Sequence, residues 1–81
     1  MEKTITSKAY RQFIEMLCIE RVNRGLSQVE LAKVLKKPQQ FVSRYENLER
    51  RLDVLEFTVI ANALGIDPAK AIDELAQAIK D

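Results

Sequence analysis

The sequence predicts an all-α fold of five short helices, and three observations carry that prediction. Apolar residues recur at steps of three and four along the chain, with little of the alternation that marks half-buried strands. Two glycines and two prolines interrupt 81 residues, and each falls where a helix would end or begin. Side chains able to cap a helix N-terminus recur at Ser27, Asp53 and Asp67.

Residues 1–6 read as a polar, mobile arm. The first helix starts near Ser7, with Tyr10, Phe13, Ile14 and Leu17 on one face, and ends at Arg24 with Gly25 just beyond. Ser27 and Glu30 then form a capping box for the second helix, with Leu26 and Leu31 placed as a hydrophobic staple. Leu31, Ala32 and Leu35 are its inward face, and Lys36-Lys37-Pro38 stops it. The third helix runs from Pro38 or Gln39 to Glu46 or Asn47, since proline is tolerated in a first helical turn. After a charged connector at 48–52, Asp53 and Glu56 cap a fourth helix bearing Phe57, Ile60, Ala61 and Leu64 ahead of Gly65. Asp67 caps a fifth, with Pro68 in its first turn and Ile72, Leu75, Ala76 and Ile79 as its apolar stripe.

Composition narrows the chemistry. The chain has no histidine, which removes Ser-His and Cys-His nucleophile pairs and imidazole metal ligands. One cysteine, Cys18, excludes an internal disulfide and any Cys-x-x-Cys motif, and its setting marks no reactive thiol. No metal, no cofactor and no enzyme activity are expected. No apolar run approaches the roughly 18–20 residues that span a membrane, and Met1-Glu2-Lys3-Thr4 leads into no secretory signal. The expectation is a single cytoplasmic domain, residues 1–81, that works by binding.

Two short helices joined by a tight turn, residues 27–47, suggest a helix-turn-helix. On a wheel of about 100° per residue, Phe41, Val42 and Tyr45 of the third helix share an apolar face. Gln39, Gln40, Ser43, Arg44 and Asn47 fill the opposite arc, and no acid lies among them. Amides, a hydroxyl and a guanidinium are the groups that read base edges: Gln bidentate to adenine, Arg bidentate to guanine, Ser to either.

The stretches Arg21…Gly25-Leu26-Ser27-Gln28-Val29-Glu30-Leu31-Ala32, Pro38 to Asn47, Glu49-Arg50-Arg51-Leu52-Asp53…Glu56-Phe57 and Ala63-Leu64-Gly65 resemble the Cro/C1-type (XRE-family) helix-turn-helix regulators. The resemblance covers roughly residues 10–68 and implies a lambda-repressor-like domain, most often a repressor, of prokaryotic, phage or mobile-element origin. It implies that Gln39, Gln40, Ser43 and Arg44 face bases, and that Gln28 touches a phosphate while bracing the third helix. Lys37, Asn47, Arg50 and Arg51 fall among the phosphate contacts, and Arg21 with Glu46 matches a structural ion pair. Relatives carry glycine where this chain has Lys36 and Leu48. Lys36 is expected in a left-handed turn at a cost of roughly 1 kcal/mol, and Asn47, which tolerates positive φ, is expected to end the third helix in place of Leu48.

A second surface is expected on the fourth helix, where Leu55 and Val59 lie opposite the core residues. With Ile66 and the fifth helix they predict a homodimer, which would read an inverted repeat with half-sites about one DNA turn apart. Two other readings stay open: the antitoxin of a toxin–antitoxin pair, with a protein partner on this surface, and a helical interaction adaptor that does not bind DNA. The formal net charge of +1 conceals an asymmetry. Residues 1–52 carry 11 Lys and Arg against 6 Asp and Glu, a net of +5, and residues 53–81 carry 2 against 6, a net of −4. The basic excess lies in the half that holds the helix-turn-helix.

Overall fold

The computed structural model describes residues 7–80, so the arm expected at residues 1–6 lies outside the described residues. The helices are α1 (Lys8–Asn23), α2 (Gln28–Leu35), α3 (Gln39–Glu46), α4 (Val54–Leu64) and α5 (Pro68–Lys80), with no strand among the described residues. The caps fall where the sequence places them. Ser7 Oγ accepts from the Tyr10 N–H at 3.1 Å, both capping boxes close at Ser27/Glu30 and Asp53/Glu56, and Asp67 Oδ1 accepts from the Ala69 N–H at 3.0 Å. Pro38 stands just outside α3 with φ −66° and ψ 153°, making no side-chain cap, so the helix proper begins at Gln39.

One apolar core serves all five helices. Phe13, Ile14 and Leu17 of α1 meet Leu31 and Ala32 of α2, Val42 and Tyr45 of α3, Phe57, Ile60, Ala61 and Leu64 of α4, and Ala71 of α5. The Phe13 and Phe57 rings pack with centroids 4.9 Å apart. The Tyr45 hydroxyl is carried into this core and, alone among the described buried side chains, finds no hydrogen-bond partner.

Two expectations are corrected. The α5 stripe of Ile72, Leu75, Ala76 and Ile79 is turned by close to one residue step, about 100°. Ala71 is buried and Leu75 and Ala78 are half-buried, while Ile72 (46% exposed), Ala76 and Ile79 (70%) face outward. The reason is that α5 lies alongside α1, where Ala71 and Ala78 line, with Ala9 and Met16, a cavity of about 160 Å³ between the two helices. Alanines admit an approach that isoleucines would hold off.

The second correction concerns the end of α3. Asn47 keeps φ −87°, and Leu48 itself adopts the left-handed conformation at φ 63°. The Glu49 N–H donates to the Arg44 carbonyl at 2.8 Å and the Leu48 N–H to the Tyr45 carbonyl at 3.2 Å, a Schellman closure with leucine in the glycine position. Leu48 packs against the core. In that conformation Leu48 gains apolar burial, which offsets the local preference of Asn47 for the turn. Lys36, at φ 58°, takes the left-handed turn expected of it.

Candidate nucleic-acid interface

α2 (Gln28–Leu35) and α3 (Gln39–Glu46) are joined by the three residues Lys36, Lys37 and Pro38. Burial of Val42 and Tyr45, with Phe41 half-buried beside them, leaves the opposite face of α3 outermost. Gln39, Gln40, Arg44 and Asn47 are exposed there and Ser43 is half-buried, so the structure brings the base-facing candidates together on one side. The Asn47 amide approaches Ser43 Oγ at 3.5 Å.

A polar chain beneath this face fixes its geometry. Arg21 Nε and Nη2 donate to the two Glu46 carboxylate oxygens at 2.8 and 3.1 Å, and Arg21 Nη1 donates to the Leu26 carbonyl at 2.7 Å. One guanidinium thus ties the end of α1, the turn into α2 and the end of α3. The two side chains are only 11% and 5% exposed, and a forked pair of that kind sets the angle between helices. Gln28 Nε2 donates to Glu46 Oε1 at 2.9 Å, and Gln39 Nε2 donates to Gln28 Oε1 at 3.2 Å.

The order of that chain is decided by charge. A carboxylate only accepts, so Glu46 takes the NH2 end of Gln28. The Gln28 carbonyl is then turned to Gln39 and takes one of its N–H groups. Gln39 keeps its own carbonyl oxygen and a second N–H, the acceptor and donor that adenine requires in the major groove. Gln28 thus bridges Glu46 and Gln39, and Arg21 and Glu46 lie in an ion pair.

The phosphate candidates divide. Lys37, Asn47 and Arg51 are exposed, and Lys37 Nζ lies 5.5 Å from the Phe41 ring centroid. Arg50 is placed differently. Its guanidinium makes a forked pair with Glu56 at 2.8 and 2.7 Å, donates to the Arg51 carbonyl at 2.9 Å and sits 4.9 Å from the Phe41 ring centroid. That pair holds the Glu56 carboxyl at about 2, well below its ordinary 4.5. No sequence pattern marks Arg50 and Glu56 as partners, because their contact depends on the path of the connector between α3 and α4.

Of the second-surface residues, Leu55 is 73% and Val59 45% exposed, whereas Ile66 packs against the core. Val54 and Ile72 join the exposed set and edge an open apolar groove of about 460 Å³, floored by Phe57 and Leu75. Cys18 lies beside the ion pair, with Sγ 3.8 Å from Arg21 Nη2, and burial followed by the nearby Glu46 charge pushes its thiol pKa up. It is thereby a poor nucleophile. Among the described residues no three His, Cys, Asp or Glu side chains gather to hold a metal, and no helix is long and apolar enough to cross a membrane.

A helix-turn-helix family model matches residues 19–70, from the last turn of α1 into α5. The chain belongs to the XRE-type helix-turn-helix family. It is similar to a solved structure, an XRE-family like protein from Pseudomonas syringae pv. tomato str. DC3000, at 40% identity and a TM-score of 0.80. The similarity covers 86% of this chain and 85% of that one. A comparison with curated proteins finds no match. XRE-type helix-turn-helix proteins are DNA-binding transcriptional regulators, and membership places this chain among them with a lambda-repressor-like fold.

Proposed function

We propose that the protein is a sequence-specific repressor that binds double-stranded DNA as a homodimer, with α3 in the major groove of each half-site. The observation that carries this reading is the outer face of α3. It presents Gln39, Gln40, Ser43 and Arg44 with no acid among them, and Gln39 is held by the Glu46–Gln28 chain with a donor and an acceptor to spare. Gln28, Lys37, Asn47 and Arg51 position the domain on phosphates, and the bases are read by the α3 side chains. The exposed Leu55 and Val59, with Val54 and Ile72, supply the apolar surface for a two-fold contact.

Selection of bound sites from a random duplex pool tests the proposal. The expected result is a short inverted repeat, and recovery of no preferred sequence overturns it. On the selected duplex, Arg44→Ala is expected to cost about 1–3 kcal/mol and to relax preference at one base pair. Uniform weakening on every sequence would make Arg44 a phosphate contact instead.

A further inference from the structure

The connector between α3 and α4 carries adjacent arginines, Arg50 and Arg51, and the structure treats them in opposite ways. Arg51 is exposed. Arg50 is held from three sides: by Glu56 on the first turn of α4, by the carbonyl of Arg51 in its own loop, and by the ring of Phe41 on the first turn of α3. Glu56 is fully engaged as well, since its Oε1 also accepts the Asp53 N–H of the capping box at 3.0 Å. A guanidinium fixed in a fork and laid on an aromatic ring is a joint between two helices.

We propose that Arg50, Glu56 and Phe41 form a brace that positions the connector and the base-reading end of α3 for DNA, with Arg50 a positioning residue that does not itself touch phosphate. The brace is needed where it stands. The connector opens at Leu48 in a left-handed conformation, with no glycine to hold that turn without strain. Phe41 follows Gln39 and Gln40 directly, so a guanidinium packed on its ring couples the start of α3 to the start of α4. The Arg51 side chain and the Asn47 amide then approach the DNA backbone from a fixed loop.

This inference rests on the DNA-binding reading and makes a prediction opposite in sign to simple charge counting. Glu56→Gln removes an acid beside a DNA-facing loop and frees Arg50, which on charge alone strengthens binding. Glutamine at this position still serves the capping box, so α4 keeps its start. The experiment measures binding of the full chain to the selected duplex over a salt series, for the wild type, Glu56→Gln, Arg50→Lys and Arg50→Gln, each shown by circular dichroism to be folded.

The brace predicts that all three variants bind about tenfold more weakly, the scale of one lost charge-assisted hydrogen bond, with the salt dependence of the wild type. Arg50→Lys is included because a phosphate accepts lysine as a point charge, whereas a fork does not. Folded variants that bind as the wild type does overturn the proposal. So does tighter binding by Glu56→Gln, or a salt slope lowered by about 0.9 in Arg50→Gln, the signature of one lost phosphate contact. A wild-type chain that binds no duplex in a salt-dependent way overturns the DNA-binding reading, and the brace with it.

Discussion

Four helices of this protein end with the same pair of backbone hydrogen bonds, but two end on glycine and two do not. α1 and α4 turn at Gly25 (φ 72°) and Gly65 (φ 69°), where the left-handed conformation meets no Cβ. α2 and α3, the two helices of the helix-turn-helix, turn at Lys36 (φ 58°) and Leu48 (φ 63°). The strained turns therefore bracket α3, one on each side, while the scaffold helices are closed without strain. Side-chain ties hold α3 between those turns: the Arg21–Glu46–Gln28 chain across α1, α2 and α3, and the Arg50–Glu56 pair after Leu48. The unstrained closures at Gly25 and Gly65 belong to α1 and α4, two of the three helices that α3 is tied to.

The largest way to break that contrast is to remove the tie. Glu46→Ala leaves Arg21 desolvated without its carboxylate and Gln28 without its acceptor, and is expected to destabilise the fold by about 3 kcal/mol in denaturant melts. A loss below about 1 kcal/mol would mean that the strained turns hold without it. Acid comes next, at the Leu48 side. The Glu56 carboxyl sits at about 2 in the folded chain against an ordinary 4.5, so its stabilisation is complete above 4.5 and fades as the pH falls toward 2. Stability followed across that window is expected to fall less steeply in Glu56→Gln than in the wild type.

The smallest effects sharpen the comparison between the two strained turns themselves. Lys36 is exposed, so Lys36→Gly relieves backbone strain and loses no packing, and is expected to stabilise by about 1 kcal/mol. Leu48 packs on the core, so Leu48→Gly exchanges a similar relief for lost apolar burial and is expected to move the melt by less than about 0.5 kcal/mol. Equal gains from both substitutions would show that the Leu48 side chain contributes nothing.

The parts of this structure legible in the sequence are those written by local rules. Capping at Ser27, Asp53 and Asp67, the turns at Gly25 and Gly65, and the inner face of α3 at Val42 and Tyr45 each follow from residues a few positions apart. The Arg21–Glu46 pair was legible only through family resemblance, because 25 positions separate the partners. Two features ran against local preference. Asn47 is the better left-handed residue, yet Leu48 takes the turn because that conformation packs its side chain. Isoleucines are the more apolar residues of α5, yet alanines face α1 because the helices lie close. The amide chain through Gln28 and Gln39 and the fork between Arg50 and Glu56 were hidden for a related reason. Each depends on where a turn aims two elements, which no spacing along the chain records.

The unpartnered Tyr45 hydroxyl makes α3 report on its own release. The chain has no tryptophan and two tyrosines, Tyr10 and Tyr45, so the absorbance that grows on ionisation belongs to their phenols. Burial raises the Tyr45 pKa far above its ordinary 10, and the phenolate is available chiefly to chains whose α3 has left the core. Stability therefore declines as the pH climbs beyond 10, and the tyrosinate band of Tyr45 grows in step with undocking of the helix that faces DNA. Alkali supplies a label-free optical clock for that event, placed by the sequence on the buried side of its reading head.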